Sequence, residues 1–290
     1  MRTSGAPTVI VAGYLSLDHI VAPGGELTDV PGGAALYAAL AAAWAGGSVS
    51  LCAKVGGDFP RAALEAMKAA GVDLSHLVHD GGSSRRAHLI EPKPGAEPRD
   101  SPSHADAGWW ERTTALAPVP IGGRVDVMIL TPLPPKTARL HVTEARRFGA
   151  TVIADTSEAY ARKDPAGVKA LAGQVDLFAP STEELAILGY GDAPGALAPA
   201  VLEKRGAHGA RLWRCGRLDA TVESRASRVL DTTGAGDSLI GAFGAARARK
   251  ASDEEALTLG LDAAARTLSG LGPSAWGVPV PVPEDVPHAY

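Results

Sequence analysis

The second half of the chain alternates short apolar runs with helical stretches, and this alternation constrains the fold more than any other feature. Three runs are typical of strands and each is followed by a helical stretch: 125–130, 136–148, 151–155, 165–172, 175–179 and 182–188. Strands joined by helices run parallel, and their helices cover both faces of the sheet. The sequence therefore predicts an α/β fold with a doubly wound, mostly parallel sheet flanked by helices.

The rest of the chain fits one α/β domain spanning 1–290. Further strands and helices are predicted at 8–13, 34–45, 48–55, 60–70, 201–204, 210–215, 235–248 and 253–269. A hairpin at 19–30 and an extended piece near 87–91 interrupt the pattern, which predicts a small β lid from insertions at 19–30 and 86–100. Between the lid and residue 123 we expect a loop, with a short helix around Trp109 and Trp110.

Charge and composition exclude several classes of protein. The chain has 290 residues, with 28 Lys+Arg against 32 Asp+Glu and a net charge of −4. Nucleic-acid binding usually needs a basic excess, and a membrane span needs an apolar run of about 18 residues, so neither partner is expected. The first residues do not resemble a signal peptide. Cys52 and Cys215 lie in or at the end of apolar runs and are predicted to be reduced core thiols of a cytoplasmic protein.

The strongest chemical feature is a glycine-rich string at the start of a predicted helix. Residues 231–243 read DTTGAGDSLIGAF. Glycines allow the backbone to approach an anion, and the first amides of the helix point at the same place. Asp237 lies in the first turn, where it could accept a proton from an attacking hydroxyl. An anion hole beside a carboxylate base suits phosphoryl transfer to an alcohol. An isolated glycine turn with a favourably placed aspartate is the alternative.

The whole string resembles the C-terminal signature of the ribokinase-like (PfkB) carbohydrate kinases. Six further segments resemble that family's motifs in the same order: 13–18, 31–35, 54–58, 71–73, 180–184 and 204–210. The resemblance covers about residues 8–272. It implies a ribokinase-like fold, in agreement with the strand and helix pattern.

The resemblance also implies residue roles. Asp237 would be the general base. The other implied groups are an anion hole (Gly234, Ala235, Gly236), a site for substrate hydroxyls (Asp18, Gly32, Gly33), an ATP site (Lys204, Gly206, Gly209) and a monovalent-cation site, with K⁺ as the candidate ion (Asp231, Thr233). ATP and Mg²⁺ are the implied cofactors.

Two positions depart from the family pattern. Ser181 stands where the family's N-x-x-E magnesium motif has asparagine. Glu184 could still orient Mg²⁺ through water, but Ser181 and Glu184 also have the spacing of a helix capping box. Tyr37 stands close to the place where many members carry an asparagine that reaches the sugar. Tyr37 could stack on a substrate ring or narrow the pocket, or it could pack beneath the lid.

These observations lead to one expected function and two alternatives. We expect an ATP-dependent kinase that phosphorylates a hydroxyl of a small polyhydroxy compound, a sugar or a cyclitol. A nucleoside kinase of the same fold is one alternative, because Tyr37 could stack on a base. A catalytically silent sugar- or nucleotide-binding sensor is the other, although a sensor has no need of Asp237. The lid exposes strand edges through which two copies could form a homodimer.

Overall fold

The computed structural model describes residues 6–22, 25–79, 81–90 and 124–281. Ten strands form a central sheet: β1 (Thr8–Ala12), β4 (Ser48–Val55), β5 (Val72–Asp73), β6 (Leu77–His79), β8 (Val127–Leu130), β9 (Thr151–Ala154), β10 (Leu177–Phe178), β11 (Ala200–Lys204), β12 (Ala210–Arg214) and β13 (Arg217–Val222). Three strands form a second sheet: β2 (Ser16–Ala22), β3 (Gly25–Gly32) and β7 (Arg85–Ile90).

The central sheet has the order β13-β12-β11-β10-β9-β8-β1-β4-β5, with β6 paired to β4. Its pairs are parallel except at one edge, where β11, β12 and β13 run antiparallel. The chain leaves β1 for β4 on one side and later returns to β8 on the other. This reversal creates a crevice at the carboxyl end of β1, where ligands of open α/β sheets bind. The predicted doubly wound, mostly parallel sheet is confirmed.

Eight helices cover the sheet within the described ranges: α1 (Ala34–Trp44), α2 (Arg61–Ala69), α3 (Pro135–Arg147), α4 (Glu158–Lys163), α5 (Pro165–Ala172), α6 (Thr182–Ile187), α7 (Ala235–Ala248) and α8 (Asp253–Leu268). Side chains of β1 alternate between two cores. Val9 and Val11 pack with α1, α2, α7 and α8, whereas Ile10 and Ala12 pack with α3 to α6. Every β1 residue from Val9 onward is buried, as a central parallel strand requires.

The second sheet has the order β3-β2-β7, with β2 antiparallel to β3 and parallel to β7. Residues of both predicted lid insertions, 19–30 and 86–100, fall in this sheet, which we call the lid sheet. Residues 23–24 and 91–100 of these insertions lie outside the described ranges, and the role as a lid stays a prediction. Asp58 anchors β7 to the core: its two carboxylate oxygens accept the amide of Ser84 at 2.6 Å and a guanidinium N–H of Arg86 at 2.9 Å. Arg86 also reaches Asp29 of β3 at 3.3 Å. These hydrogen bonds connect the start of β7 to Asp58, which follows β4, and to the neighbouring strand β3.

Replacing Asp58 with alanine should lower the free energy of unfolding by about 1–3 kcal/mol, because Ser84 is buried and its amide would lose its acceptor. Asp29→Asn is the control, since it removes only the exposed arm of the Arg86 pair and asparagine tolerates the positive φ at Asp29. The control should cost less than about 1 kcal/mol. Urea unfolding measures both, and equal losses would show that Asp58 is no anchor.

Several details differ from the sequence expectations. Strands β5, β6 and β13 and helix α4 were not predicted; β5, β6 and α4 have only two, three and six residues. The alternation of Leu218, Ala220 and Val222 in β13 was a signal that the sequence analysis did not use. Cys52 is buried as expected, but Cys215 is exposed in the turn between β12 and β13, so its prediction as a core thiol was wrong. The predicted helix around Trp109 and Trp110 lies outside the described ranges.

None of the helices in the described ranges combines the length and the apolar character that crossing a membrane would require. Cytoplasmic localisation stays a prediction.

Candidate active site

Polar residues from distant parts of the chain meet at the crevice beyond β1. Asp155 follows β9, Lys204 ends β11, and the glycine-rich string 234–237 opens α7. Asp18 enters from the lid strand β2. Carboxyl ends of parallel strands share one edge of a sheet, so the topology of the central sheet brings Asp155 and Lys204 to the same edge.

The glycine-rich turn presents its backbone at the start of α7. Gly234 has a left-handed conformation, with φ +77° and ψ 0°, and the helix begins at the next residue. The amide of Ala235 donates to the carbonyl oxygen of Thr232 at 3.3 Å, whereas the amide of Gly236 has no acceptor within the described ranges. A free amide at the positive end of a 14-residue helix suits an anion.

Asp231 stabilises this turn through hydrogen bonds to two backbone amides. Its two carboxylate oxygens accept the amides of Thr233 at 2.8 Å and Gly272 at 2.7 Å, and its side chain is buried. The predicted cation-site residues Asp231 and Thr233 are therefore adjacent and joined by a hydrogen bond. Their binding of a monovalent cation stays a prediction.

Asp237 lies in the first turn of α7 and is half-buried. Burial of its carboxyl, reinforced by the negative charge of Asp155, raises the pKa of Asp237 to about 7. The ammonium of Lys204 acts in the opposite direction. A carboxylate with a pKa near neutrality is suited to general-base catalysis, because it holds protons more strongly than an ordinary aspartate does.

Asp18 is buried against Gly32 at the base of the lid. A Cβ atom at Gly32 would lie 1.9 Å from Oδ2 of Asp18, so only glycine allows this approach. Burial raises the pKa of Asp18 to about 6, although Ser16 and Gly33 donate hydrogen bonds to it. Its Oδ1 atom is buried and has no partner within the described ranges. A buried acceptor without a donor is costly, and a substrate hydroxyl could supply the donor.

Tyr37 lies directly beneath the glycine-rich turn. A Cβ atom at Gly234 would be only 2.3–2.5 Å from the atoms of the Tyr37 ring, so the ring forms the floor of the turn. The side chain is 1% exposed, and its hydroxyl has no partner in the described part of the chain. Burial raises the pKa of Tyr37 well above its usual value. Contact between Tyr37 and a substrate stays a prediction, and the packing of its ring against Gly234 is what the structure describes.

Glu184 forms both halves of a capping box at the start of α6. Its Oε2 atom accepts the amide of Ser181 at 2.7 Å, and the hydroxyl of Ser181 accepts the amide of Glu184 at 3.1 Å. The capping interpretation of these residues is thus confirmed. The described residues include no group of three acidic, histidine or cysteine side chains close enough to hold a metal. Orientation of Mg²⁺ through water by Glu184 stays a prediction.

The predicted nucleotide residues occupy the loop between β11 and β12. Gly206 begins a short 3₁₀ turn and Gly209 follows it. The side chain of Lys204, which precedes this loop, does not extend into solvent. Its ammonium instead binds both carboxylate oxygens of Asp155, at 2.7 and 2.6 Å. The roles of Gly206 and Gly209 in ATP binding stay predictions.

Sequence reasoning missed two features of the site. The first is the ion pair between Lys204 and Asp155, which are 49 residues apart. The second is Arg85, which stands opposite Ser16 in the lid sheet, so that it shares a sheet face with Asp18. Its guanidinium carbon lies 5.5 Å from the centre of the Tyr14 ring. Each residue lies at a strand end next to the crevice, and that position was the available signal.

Two sequence comparisons show what this chain is similar to. A family model described as pfkB family carbohydrate kinase matches residues 12–279. A cytidine kinase from Thermococcus kodakarensis is 27% identical over 286 residues, which cover 94% of this chain and 99% of that protein.

Two solved structures share the fold. A nucleoside kinase from Burkholderia thailandensis in complex with inosine superposes with a TM-score of 0.75 at 20% identity, covering 94% of this chain and 93% of the other. A ribokinase from Cryptococcus neoformans in complex with ADP superposes with a TM-score of 0.74 at 21% identity, covering 95% and 97%. At these identities the likeness shows the ribokinase-like fold.

Proposed function

The chain belongs to the pfkB family of carbohydrate kinases, and we propose that it transfers the γ-phosphoryl group of ATP to a hydroxyl of a small polyhydroxy substrate. The observation that carries this proposal is the juxtaposition of Asp237 with the free amide of Gly236 at the start of α7. Asp237 takes the proton of the acceptor hydroxyl. The hydroxyl oxygen then bonds to the γ-phosphorus, and the bond to ADP breaks with its electron pair on ADP.

Asp18 is the proposed anchor of the acceptor. Its unpartnered Oδ1 atom lies at the base of the lid, so a substrate hydroxyl would satisfy it. Gly32 and Gly33 adjoin it in β3 and the following turn. Holding a second hydroxyl there would leave the reacting hydroxyl free to approach Asp237. Substrates with several hydroxyls on one small ring suit this arrangement.

A free sugar or cyclitol is the first candidate acceptor, and a nucleoside is the second. Both offer neighbouring ring hydroxyls to Asp18. The nucleoside candidate is supported by a relative named a cytidine kinase and a structural neighbour in complex with inosine. The sugar candidate is supported by the carbohydrate kinase family and by a ribokinase neighbour. A silent sensor is disfavoured by the position of Asp237 beside the free amide of Gly236, since a sensor has no need of a base there.

Mg²⁺ would be held mainly by the phosphates of ATP and by water. Mg²⁺ usually keeps several waters and few protein ligands in such sites. Glu184 would orient one of those waters. When bound, the ion offsets the negative charge of the phosphates. K⁺ near Asp231 and Thr233 is part of the same proposal.

A screen of acceptors tests the function. The purified protein is incubated with ATP and Mg²⁺, with and without K⁺, and with panels of sugars, cyclitols and nucleosides, while ADP release is recorded. We expect one panel to raise ADP release well above the rate with ATP alone. Mass spectrometry of the product then identifies the phosphorylated compound. If ATP and an acceptor bind but no acceptor in the three panels raises the rate of ADP release, the sensor alternative is favoured.

Activity should depend on pH through Asp237. The ionised carboxylate is the base, so kcat/KM should rise with pH, reach half its maximum near pH 7 and fall about tenfold per unit below it. Asp155, Asp18 and Lys204 are the charged groups that act on it. Asp155→Asn removes a neighbouring negative charge and should move the midpoint to lower pH. An unchanged midpoint would contradict the assigned base.

Pairing of two copies through the lid is part of the proposal. Static light scattering of the purified chain measures the mass, and a monomer at micromolar concentration would exclude it.

A further inference from the structure

The side chain of Lys204 crosses from the end of the sheet to the glycine-rich turn. A Cβ atom built on Gly236 would lie 3.4 Å from Cδ and 3.6 Å from Nζ of Lys204, so the stem of the lysine runs across this glycine. Its charge acts on Asp237 and Glu184 as well as on Asp155. The side chain is only 14% exposed. A positive charge therefore stands beside the helix start that is proposed to receive the phosphoryl group.

Asp155 fixes the ammonium in this position. The ammonium donates to both oxygens of its carboxylate, which is 1% exposed and also accepts the amide of Thr156 at 2.8 Å. No other acceptor for Nζ exists in the parts of the chain that the structure describes. One donor of the ammonium thus remains available to a ligand in the crevice.

Stability alone is a weak reason for this pair. Removing two charges from water costs several kcal/mol per ion, and their attraction repays this only when the geometry is good. Apolar residues of similar volume often serve as well in a core. The pair lies at the carboxyl ends of strands β9 and β11, where ligands bind, and not in the middle of either core.

We propose that Lys204 binds the γ-phosphoryl group during its transfer, and that Asp155 is a positioning residue that aims the ammonium. This inference rests on the proposed kinase function and changes the role of Lys204 from general lining of the ATP site to contact with the reacting group. As the acceptor oxygen bonds to phosphorus and ADP departs, Lys204 and the amide of Gly236 flank the phosphoryl oxygens. The acceptor proton goes to Asp237, and Lys204 keeps its own protons.

The test compares two nucleotides that differ at the γ-phosphate. Isothermal titration calorimetry measures binding of ADP and of AMP-PNP, an ATP analogue that is not hydrolysed, in the presence of Mg²⁺. The variant is Lys204→Met/Asp155→Asn, which removes both charges and leaves neither one buried alone. We expect its ADP affinity to stay within about threefold of wild type, and its AMP-PNP affinity to fall at least tenfold. We also expect kcat to fall about 100-fold, as when one transition-state donor is lost.

A matched pair elsewhere controls for the loss of an ion pair. Arg214 binds both carboxylate oxygens of Asp253 at 2.9 Å, and neither residue is a predicted site residue. Asp219 and Arg247 also contact this pair. Arg214→Met/Asp253→Asn should change neither nucleotide affinity. Should the Lys204 variant fail to fold, Asp155→Asn alone keeps the lysine. It should weaken AMP-PNP binding more than ADP binding.

The outcomes separate the two proposals. If the wild-type protein binds neither nucleotide and releases no ADP with any acceptor, the kinase function itself fails. If the wild type is active and the double variant binds AMP-PNP as wild type does, the inference on Lys204 fails. Equal losses of ADP and AMP-PNP affinity would also overturn it, since the lysine would then bind the diphosphate and not the transferred group.

Discussion

Replacement of Asp237 by asparagine is expected to lower kcat by about 10²- to 10⁴-fold, the usual range for loss of a general base. Asparagine has nearly the same shape but cannot accept the acceptor proton. Binding of ADP and of acceptor should change little, because the amide of Gly236 and the Asp18 carboxylate are untouched. Steady-state kinetics with the acceptor found by the screen measure kcat, and calorimetry measures ADP affinity.

The stability of this variant distinguishes a chemical loss from unfolding. Burial and the nearby charge of Asp155 both disfavour an ionised Asp237, so a neutral asparagine should leave the free energy of unfolding equal to wild type or above it. Asp192→Asn, at an exposed position, is the matched control and should change neither rate nor stability. A kcat within tenfold of wild type would remove Asp237 as the base.

Replacement of Gly234 by alanine is expected to lower kcat/KM by about 10³-fold, because displacing the turn misaligns the anion hole and the base together. Two separate costs arise. Alanine at φ +77° costs about 1–2 kcal/mol by itself. Its Cβ would also enter the ring of Tyr37, at 2.3–2.5 Å, so that either the ring or the turn must move.

Gly189→Ala isolates the first of these costs. Gly189 has φ +79°, yet a Cβ atom there would meet nothing within 4 Å. This control should lose about 1–2 kcal/mol of stability and keep full activity. Urea unfolding and kinetics on both variants give the comparison. Equal behaviour of the two variants would mean that the Tyr37 ring yields freely and does not support the turn.

The sequence predicted most of the elements whose ends carry strong signals. Helix α7 begins at Ala235, as predicted, because Gly234 before it has a left-handed conformation through which a right-handed helix does not continue. Strand β10 has only two residues, shorter than the apolar run 175–179 that predicted it, since apolar character reports burial and not pairing. The fold class was predicted from the alternation of strands and helices, and that alternation does not depend on the exact element boundaries.

The sequence identified which residues belong to the site, but it did not predict which of them contact one another. Asp18, Asp237 and Lys204 were each identified as site residues from motifs. Two contacts had no local signal: the ring of Tyr37 beneath Gly234, and the bond between Lys204 and Asp155. Both join residues far apart in sequence, and they depend on which strands become neighbours in the sheet. Such contacts follow from the three-dimensional arrangement and not from any spacing within one motif.

The glycine-rich turn rests on a contact between residues far apart in the sequence: the ring of Tyr37, in α1, packs against Gly234, just before α7. During synthesis on the ribosome, β1 and α1 emerge long before their partner. The alanine-rich surface of α1 must then wait for α7, which arrives about 200 residues later, at roughly 10–40 s for ordinary elongation rates. Nascent chains of this protein should therefore expose that surface to chaperones until α7 has been synthesised.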